Sequence, residues 1–225
     1  MDVIDGNYVT LSDQLQTEAI DPVIKSALDV LGYQAALSLD TLMQVGLHGS
    51  VTSQFAGGAT SESAITVVVN ASEIRKAVFK LKKVGARMLG GAYAGVFHPA
   101  SAFDIMSDSA VGGWLDITKY TTTTPTYNGE IGKIYGCRIV ESQNILTGTG
   151  SGGATTYRNW VFGKQCYGIV DLAGHNLRMI AKQLGSSGVF DPLDQLSSVG
   201  YKFSFVLALL DALRGIEVIG ITAAS

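Results

Sequence analysis

Three histidines, His48, His98 and His175, and two cysteines, Cys137 and Cys166, are the residues best suited to ligate a metal or to act as base and nucleophile. Their spacing does not combine them. No pair of histidines has HExxH spacing, and the cysteines are in no CxxC pair, so no metal centre is expected. His98 stands before Pro99 at the end of a strand-like run and reads as a structural turn residue rather than a base. No GxSxG elbow presents a serine nucleophile. Gly132-Lys133 is followed by Ile134, so the hydroxyl that a Walker sequence needs is missing. Gly148, Gly150 and Gly153 do satisfy GxGxxG. That pattern holds a pyrophosphate when a strand precedes it and a helix N-terminus follows. Here Ala154 to Phe162 follow, β-branched and aromatic, so residues 147–153 read as a mobile loop. A nucleotide-binding α/β enzyme is the alternative on this motif.

Charge is distributed less evenly than chemistry. Arg75, Lys76, Lys80, Lys82, Lys83 and Arg87 are six of the sixteen basic residues. At helical spacing Lys76, Lys80, Lys83 and Arg87 fall on one face. Residues 1–40 are the converse: Asp2, Asp5, Asp13, Glu18, Asp21, Asp29 and Asp40 against Lys25 alone. One reading is a solvated helix face and an acidic N-terminal segment. The sharper one is a pair of complementary patches that meet between copies of the chain, with Arg75, Lys76, Lys80, Lys83 and Arg87 facing Asp13, Glu18 and Asp29. Such pairing steers and registers subunits more than it holds them. A nucleic-acid role for the stripe is the weaker alternative.

The elements that position these residues follow from periodicity. Asn7 to Leu11 reads as a short strand and Ser12 as a helix cap. Asp21-Pro22 supplies an N-cap acceptor followed by proline at the first helical position. Ile24, Ala27, Leu28, Leu31, Ala35, Leu39, Leu42 and Met43 then keep three-and-four spacing to about Leu47. Such a helix is roughly 39 Å long at 1.5 Å per residue. Ile65 to Val69 is strand-like. Asn70, with Glu73 three residues on, starts a helix carrying the basic stripe opposite Ile74, Ala77, Val78 and Leu81. Tyr93–Phe97 predicts a strand and Pro99–Asp108 a short helix. Glu130–Tyr135 and Arg138–Ile145 predict two strands hinged at Gly136. Asn159–Phe162, Gly168–Leu172 and Leu177–Lys182 are further strands. Period two from Tyr201 to Leu209 predicts a strand, with Ile216–Ile221 returning as its hairpin partner. The class is α+β.

Composition bounds the function. The chain has 225 residues, 47% apolar and 16% charged, against about 25% charged in an average soluble domain. Few charges suit a protein that buries surface against other copies. A formal charge of −3 excludes a globally basic nucleic-acid binder. The longest dense apolar run, Phe203 to Leu210, is far short of the roughly 20 residues of a membrane span. The acidic start, Met1 to Asp5, lacks the regions of a signal peptide. The two distant cysteines are expected to be reduced thiols made in the cytosol.

Read in order, a set of short segments resembles the tailed-phage and prophage major capsid proteins. It begins with Asp21-Pro22-Val23-Ile24-Lys25 and Leu31-Gly32-Tyr33-Gln34-Ala35-Ala36, then Ile74-Arg75-Lys76-Ala77-Val78 through Leu81-Lys82-Lys83, and His98-Pro99. Gly113-Trp114-Leu115-Asp116, Lys119-Tyr120, Tyr127 to Ile134, Val140-Glu141-Ser142 and Val161-Phe162-Gly163-Lys164 continue it. Tyr167-Gly168, Val170-Asp171-Leu172, Leu184-Gly185-Ser186, Asp191-Pro192-Leu193 and Ser198-Val199-Gly200 complete it. The resemblance implies the HK97-like fold, with a spine helix from Pro22 to about Leu47. It implies a peripheral domain from 1–60 and 175–225, and an axial domain at 61–174 that meets its copies around five- and six-fold axes. The implied role is an icosahedral shell around double-stranded phage DNA, assembled in the host bacterial cytoplasm and ending in the virion. It brings no catalytic residues and no cofactor. The implied partners are further copies in hexamers and pentamers, packaged DNA held without sequence preference, and scaffolding, portal and decoration proteins, with no membrane. A nanocompartment shell of the encapsulin type is the related alternative. Family members carry an N-terminal arm and an extended hairpin loop before the point matching Asn7. Met1 falls almost at the end of that region, which implies either a truncated chain or a member without those elements.

Overall fold

The computed structural model describes residues 2–18, 22–109, 132–171, 177–186 and 191–223. They form two compact units, each discontinuous in sequence: Met1–Met43 with Gly168–Ala208, and Gln44–Tyr167 with Leu209–Ser225.

In the first unit a long central strand meets a long helix. Strand β1 (Asp2–Ser12) leads into helix α1 (Asp13–Glu18), where the Ser12 hydroxyl accepts from the Leu15 N–H at 3.3 Å, as the cap requires. Helix α2 spans Val23–Leu47. The Pro22 carbonyl accepts from the Lys25 and Ser26 N–H groups. The predicted cap at Asp21 lies outside the described residues. The small residues on one stripe of α2 have a use: Gly32, Ala35, Ala36 and Leu39 face Phe203 and Phe205 across a cavity of about 680 Å³. Ser38 Oγ lies 3.4 Å from the Tyr201 hydroxyl.

Those aromatics sit on β10 (Leu196–Leu209), where Tyr201, Phe203 and Phe205 stack in line with ring centroids 6.0 and 5.8 Å apart. Strand β1 pairs antiparallel along its length with β10, from Asp2 opposite Val206 to Ser12 opposite Leu196. Strands β8 (Tyr167–Asp171) and β9 (Arg178–Lys182) also pair with β10.

The second unit is built on a seven-stranded sheet. Its order is β2 (Thr52–Phe55), β11 (Gly215–Ile221), β7 (Thr155–Phe162), β3 (Tyr93–Phe97), β5 (Cys137–Glu141) and β4 (Lys133–Ile134), with β6 (Thr147–Thr149) alongside β7. Helices α3 (Ala71–Lys83) and α4 (Pro99–Met106) contribute Ile74, Ala77, Val78, Leu81, Ala102 and Ile105 to one core with Phe97, Val161, Ile216 and Val218. Burying Ile74, Val78 and Leu81 at roughly 1.5–3 kcal/mol each is what fixes α3 on the sheet.

Four expectations are corrected. Strand β11 is not the hairpin partner of β10; it pairs parallel with β2 and antiparallel with β7. The cause lies in the intervening residues. Leu210 and Asp211 N–H groups both donate to the Cys166 carbonyl, and Gly163 N–H donates to the Arg214 carbonyl, so the chain is pinned beside the end of β7. Gly215 passes so close that a Cβ there would lie 2.6 Å from Cys166 Sγ. Residues 65–69 form no strand; only an isolated bridge joins Val68 to Ile221. Residues 147–153 are not a loose loop but β6 and a 3₁₀ turn (Ser151–Gly153) leading into β7. In the predicted 130–135 strand, only Lys133–Ile134 is strand among the described residues. Tyr135 (φ 48°) and Gly136 (φ 85°) then make the two-residue left-handed turn a tight hairpin needs.

Candidate assembly surfaces

The basic stripe is set by the two ends of α3. At its start Asn70 Oδ1 accepts from the Glu73 N–H at 3.2 Å. At its end Gly85 (φ 73°) stops the helix: Ala86 N–H donates to the Leu81 carbonyl and Gly85 N–H to the Lys82 carbonyl, both at 3.0 Å. This is a Schellman closure, with Lys80, Lys82 and Lys83 in the last turn where their charge suits the helix dipole. Arg87 therefore lies beyond the helix, and the expected four-residue face is corrected to Lys76, Lys80 and Lys83. A glycine one residue past the last periodic position was the signal for that stop.

The stripe is not uniformly free. Lys76 Nζ lies 2.8 Å from Glu73 Oε1. Glu73, almost wholly buried, also accepts from Gln54 Nε2 at 2.9 Å and from the Gly57 N–H. Arg75 stands 6.0 Å over the Tyr135 ring. Burial pushes the half-buried Lys80 ammonium below the usual lysine range; the Glu73 charge opposes this and Lys76 adds to it. Lys83 and Arg87 are exposed and make no ion pair among the described residues.

Phe79, on the same helix, is 65% exposed. Between α3 and β2 runs a groove of about 460 Å³, bounded by Phe55 and Ser53 on the strand and by Lys76, Phe79, Lys80 and Lys83 on the helix.

The acidic residues lie on the other unit. Asp13 and Glu18 occupy the two ends of α1; the Asp13 carboxylate accepts from the Gln14 N–H at 2.7 Å and Glu18 from Gln14 Nε2 at 3.0 Å. Asp29 is exposed on α2.

The other chemistry-bearing residues are structural. His98 caps α4: its Nδ1 accepts from the Ala100 N–H at 3.1 Å, with Pro99 at the first helical position. Its ring stacks on Tyr157 at 4.1 Å, and burial holds its pKa below the usual histidine value. The glycines of 148–153 are followed by a strand, not a helix, and a Cβ on Gly148 would lie 1.9 Å from a Glu62 carboxylate oxygen. Cys137 and Cys166 are buried free thiols, pushed up to about 12 and about 11 by burial, the latter also by the Asp211 charge. His175 lies outside the described residues. Among those described, no three His, Cys, Asp or Glu side chains are placed to hold a metal ion. No described helix is long and apolar enough to cross a membrane.

Sequence reasoning missed a buried polar knot. Glu217 on β11 is fully buried, its carboxylate 2.8 Å from His48 Nδ1 and accepting from the Ser53 hydroxyl at 3.1 Å. Its signal was a glutamate set in a strand apolar on both faces, which must find partners.

No protein-family model matches the sequence, and no curated protein does. Solved structures do match. The capsid of Ralstonia phage GP4 superposes with a TM-score of 0.72 at 15% identity, over 98% of this chain and 74% of that one. The capsid protein of cyanophage Pam1 gives 0.72 at 12% identity, over 100% and 76%.

The chain has the HK97-like capsid fold.

The same fold is shared at greater distance by the SrpI encapsulin of Synechococcus elongatus, with a TM-score of 0.59 at 9% identity over 100% of this chain and 76% of that one. In an HK97-like chain, α2 occupies the place of the spine helix implied by the sequence resemblance. Ser53 donates to Glu217 rather than to His48, so the three do not form a nucleophile–base relay.

Proposed function

We propose that this protein is a major capsid protein, a non-enzymatic tile that assembles through copies of itself into an icosahedral shell around double-stranded phage DNA. One observation carries the reading: phage capsid chains match it over 98–100% of its length at TM-scores of 0.72. The unit holding α2, β1 and β10 is proposed as the peripheral domain, and the seven-stranded unit as the axial domain that meets its copies in pentamers and hexamers. A surface with Tyr8 71%, Tyr33 69%, Phe79 65% and Val30 64% exposed is consistent with burial against neighbours. Packaged DNA is held without sequence preference. Scaffolding, portal and decoration proteins are the further partners, and assembly takes place in the host bacterial cytoplasm, with the virion as destination.

The basic residues Arg75, Lys76, Lys80, Lys83 and Arg87 are proposed to face Asp13, Glu18 and Asp29 of neighbouring copies. Because Lys76 already neutralises a buried glutamate, the informative change is Lys83→Glu. An exposed pair contributes only about 0–1 kcal/mol within a subunit. Lys83→Glu should therefore leave the unfolding midpoint within error and still reduce ring and shell yield in gradients and negative-stain images. Lys76→Glu should lower both. Unchanged assembly of the Lys83→Glu protein removes Lys83 from the interface.

Expression of the protein, followed by sizing and microscopy, tests the shell itself. Closed particles containing nucleic acid support the reading. Particles filled with a cargo protein favour the encapsulin alternative, and a monomer under every condition rejects both.

A further inference from the structure

Strands β1, β10 and β9 lie side by side in the first unit, and the sheet they make has two unlike faces. Side chains alternate along a strand, so register settles which residues share a face. Tyr201, Phe203 and Phe205 turn toward α2, and Asn7 of β1 bonds Gln34 of that helix at 3.1 Å. The opposite face carries Tyr8 on β1, Gly200 and Lys202 on β10, and Arg178, Ile180 and Lys182 on β9. It is open: Tyr8 is 71% exposed, and all three cations are exposed. Glycines keep its floor bare. A Cβ on Gly200 would lie 2.8 Å from Tyr8 Cβ, and one on Gly6 would lie 2.7 Å from the Tyr201 carbonyl oxygen. A shallow cavity of about 390 Å³ runs over these two glycines between Tyr8, Ile180, Lys182 and Lys202.

The charge on this face is one-sided. Lys202 is the direct cross-strand partner of Arg178, about 4.8 Å away across the ladder. Like charges opposite one another destabilise a sheet unless an anion lies between them. None of the three cations makes an ion pair among the described residues. The positions sharing the face at 6–10, 198–202 and 178–182 hold no carboxylate. Asp5 lines the cavity rim, but its place in β1 is on the α2 side and its carboxylate accepts from the Gly6 N–H at 2.9 Å. Asp2 stands four ladder positions beyond Gly6, opposite Val206. The acids of this unit gather elsewhere, Asp13 and Glu18 on α1, and Asp29 and Asp40 on α2 across the sheet. We infer that this face binds the phosphate backbone of double-stranded DNA, with Arg178 and Lys202 sharing one phosphate and Lys182 taking another. Protein interfaces have an apolar centre and few lysines, whereas this surface is glycine, serine and lysine with one aliphatic residue. Surfaces for nucleic acid are polar and positive. A single aromatic, Tyr8, is no stacking platform for an unpaired strand, which leaves the duplex. The inference rests on the capsid reading, and it names the surface through which a copy would hold the packaged genome.

Binding of the full chain to a short labelled duplex, followed by anisotropy across a salt series, tests it. Up to three phosphates neutralised per copy give a log–log salt slope of up to about −2.7, and each contact removed makes it shallower by about 0.9. Lys202→Gln, Arg178→Gln and Lys182→Gln should each weaken binding, by up to about eightfold at 0.1 M salt. Lys83→Gln, an exposed lysine of the other unit, should not change it. Glutamine at 178 or 202 should leave the urea midpoint unchanged or raise it, because it removes a repulsion; a lower midpoint would mean a counter-charge already within the subunit, and overturns the inference. So does a duplex that binds wild type and all three variants alike, or that loses as much affinity with Lys83→Gln. Polyglutamate competing as well as the duplex, with the same dependence on the three residues, assigns the face to an acidic protein and overturns the DNA reading. Closed particles together with unaltered duplex binding by the variants leave the capsid reading standing without this surface. Binding that falls as expected, from a protein that never forms particles, keeps the surface and rejects the capsid reading.

Discussion

Replacing Glu217 separates hydrogen bonding from charge and from packing in the centre of the larger sheet. Its carboxylate has no solvent exposure and two partners, His48 Nδ1 at 2.8 Å and the Ser53 hydroxyl at 3.1 Å. A carboxylate only accepts, so His48 carries its proton on Nδ1. In Glu217→Gln the amide oxygen can take the Ser53 hydroxyl and the amide nitrogen can donate to His48 after a tautomer change. The loss is the difference between a charge-assisted and a neutral hydrogen bond, about 1 kcal/mol. In Glu217→Ala both partners lose their acceptor and a void opens beneath β11. Two bonds at about 1.5–3 kcal/mol each, offset by the relieved desolvation of the carboxylate, leave a net cost of about 2–4 kcal/mol. Trp160 lies opposite Glu217 in the β7–β11 register and reports the event directly. With Trp114→Phe, Trp160 is the sole tryptophan of the chain. Urea unfolding followed by its emission should rank wild type above Gln above Ala, with unchanged slopes. Equal losses for Gln and Ala, or no loss for Ala, would refute the assignment of this residue's role to its two hydrogen bonds.

Three other outcomes follow from named groups. His98 has a folded pKa held below its ordinary 6.5 by burial, so the unfolded chain takes the proton first; stability should fall as pH drops from about 6.5 toward the folded value, and His98→Asn, which keeps an N-cap acceptor, should flatten that slope in urea titrations. Burial raises the Glu62 pKa, but hydrogen bonds from Arg158 and Thr156 and the Arg158 and His48 charges outweigh it and leave it below 4.5; its stabilisation is present above that value and lost as pH falls below it, and Arg158→Met should abolish this acid-side loss. Cys137 and Cys166 should resist a disulfide reagent at pH 8 until urea unfolds the chain, given thiols pushed up to about 12 and about 11; fast labelling of the native protein would contradict their burial.

Local signals were legible where one element determines its own ends. The Ser12 cap, the start of α2 just after Pro22, Asn70 as the cap of α3 and the Pro99 start of α4 all rest on contacts within four residues. Pairing was not legible where it is remote. Period two places Leu196–Leu209 and Gly215–Ile221 in strands, but periodicity carries no information about partners. The nearest strand in sequence was the natural guess for β11. Three backbone hydrogen bonds from 210, 211 and 163 send it instead between β2 and β7. Residues 65–69 show the opposite failure. They are β-branched and wholly strand-like, yet Ile65 and Val69 are buried as core side chains, and only Val68 makes a bridge.

The charged stripe was half legible for a related reason. Helical spacing groups Lys76, Lys80 and Lys83 correctly, but which of them is free depends on residues elsewhere in the chain. Gln54 and the Gly57 N–H hold Glu73 under Lys76, and that buried carboxylate turns one lysine into part of the fold. Lys83, one helical turn past Lys80, has no such neighbour among the described residues. The same helix thus holds a cation paired to a buried carboxylate of the subunit and another that makes no ion pair among the described residues. The exposed Phe79 between them lies off the buried stripe of α3, which Ile74, Ala77, Val78 and Leu81 form. An exposed cation and an exposed aromatic thus line one groove beside β2.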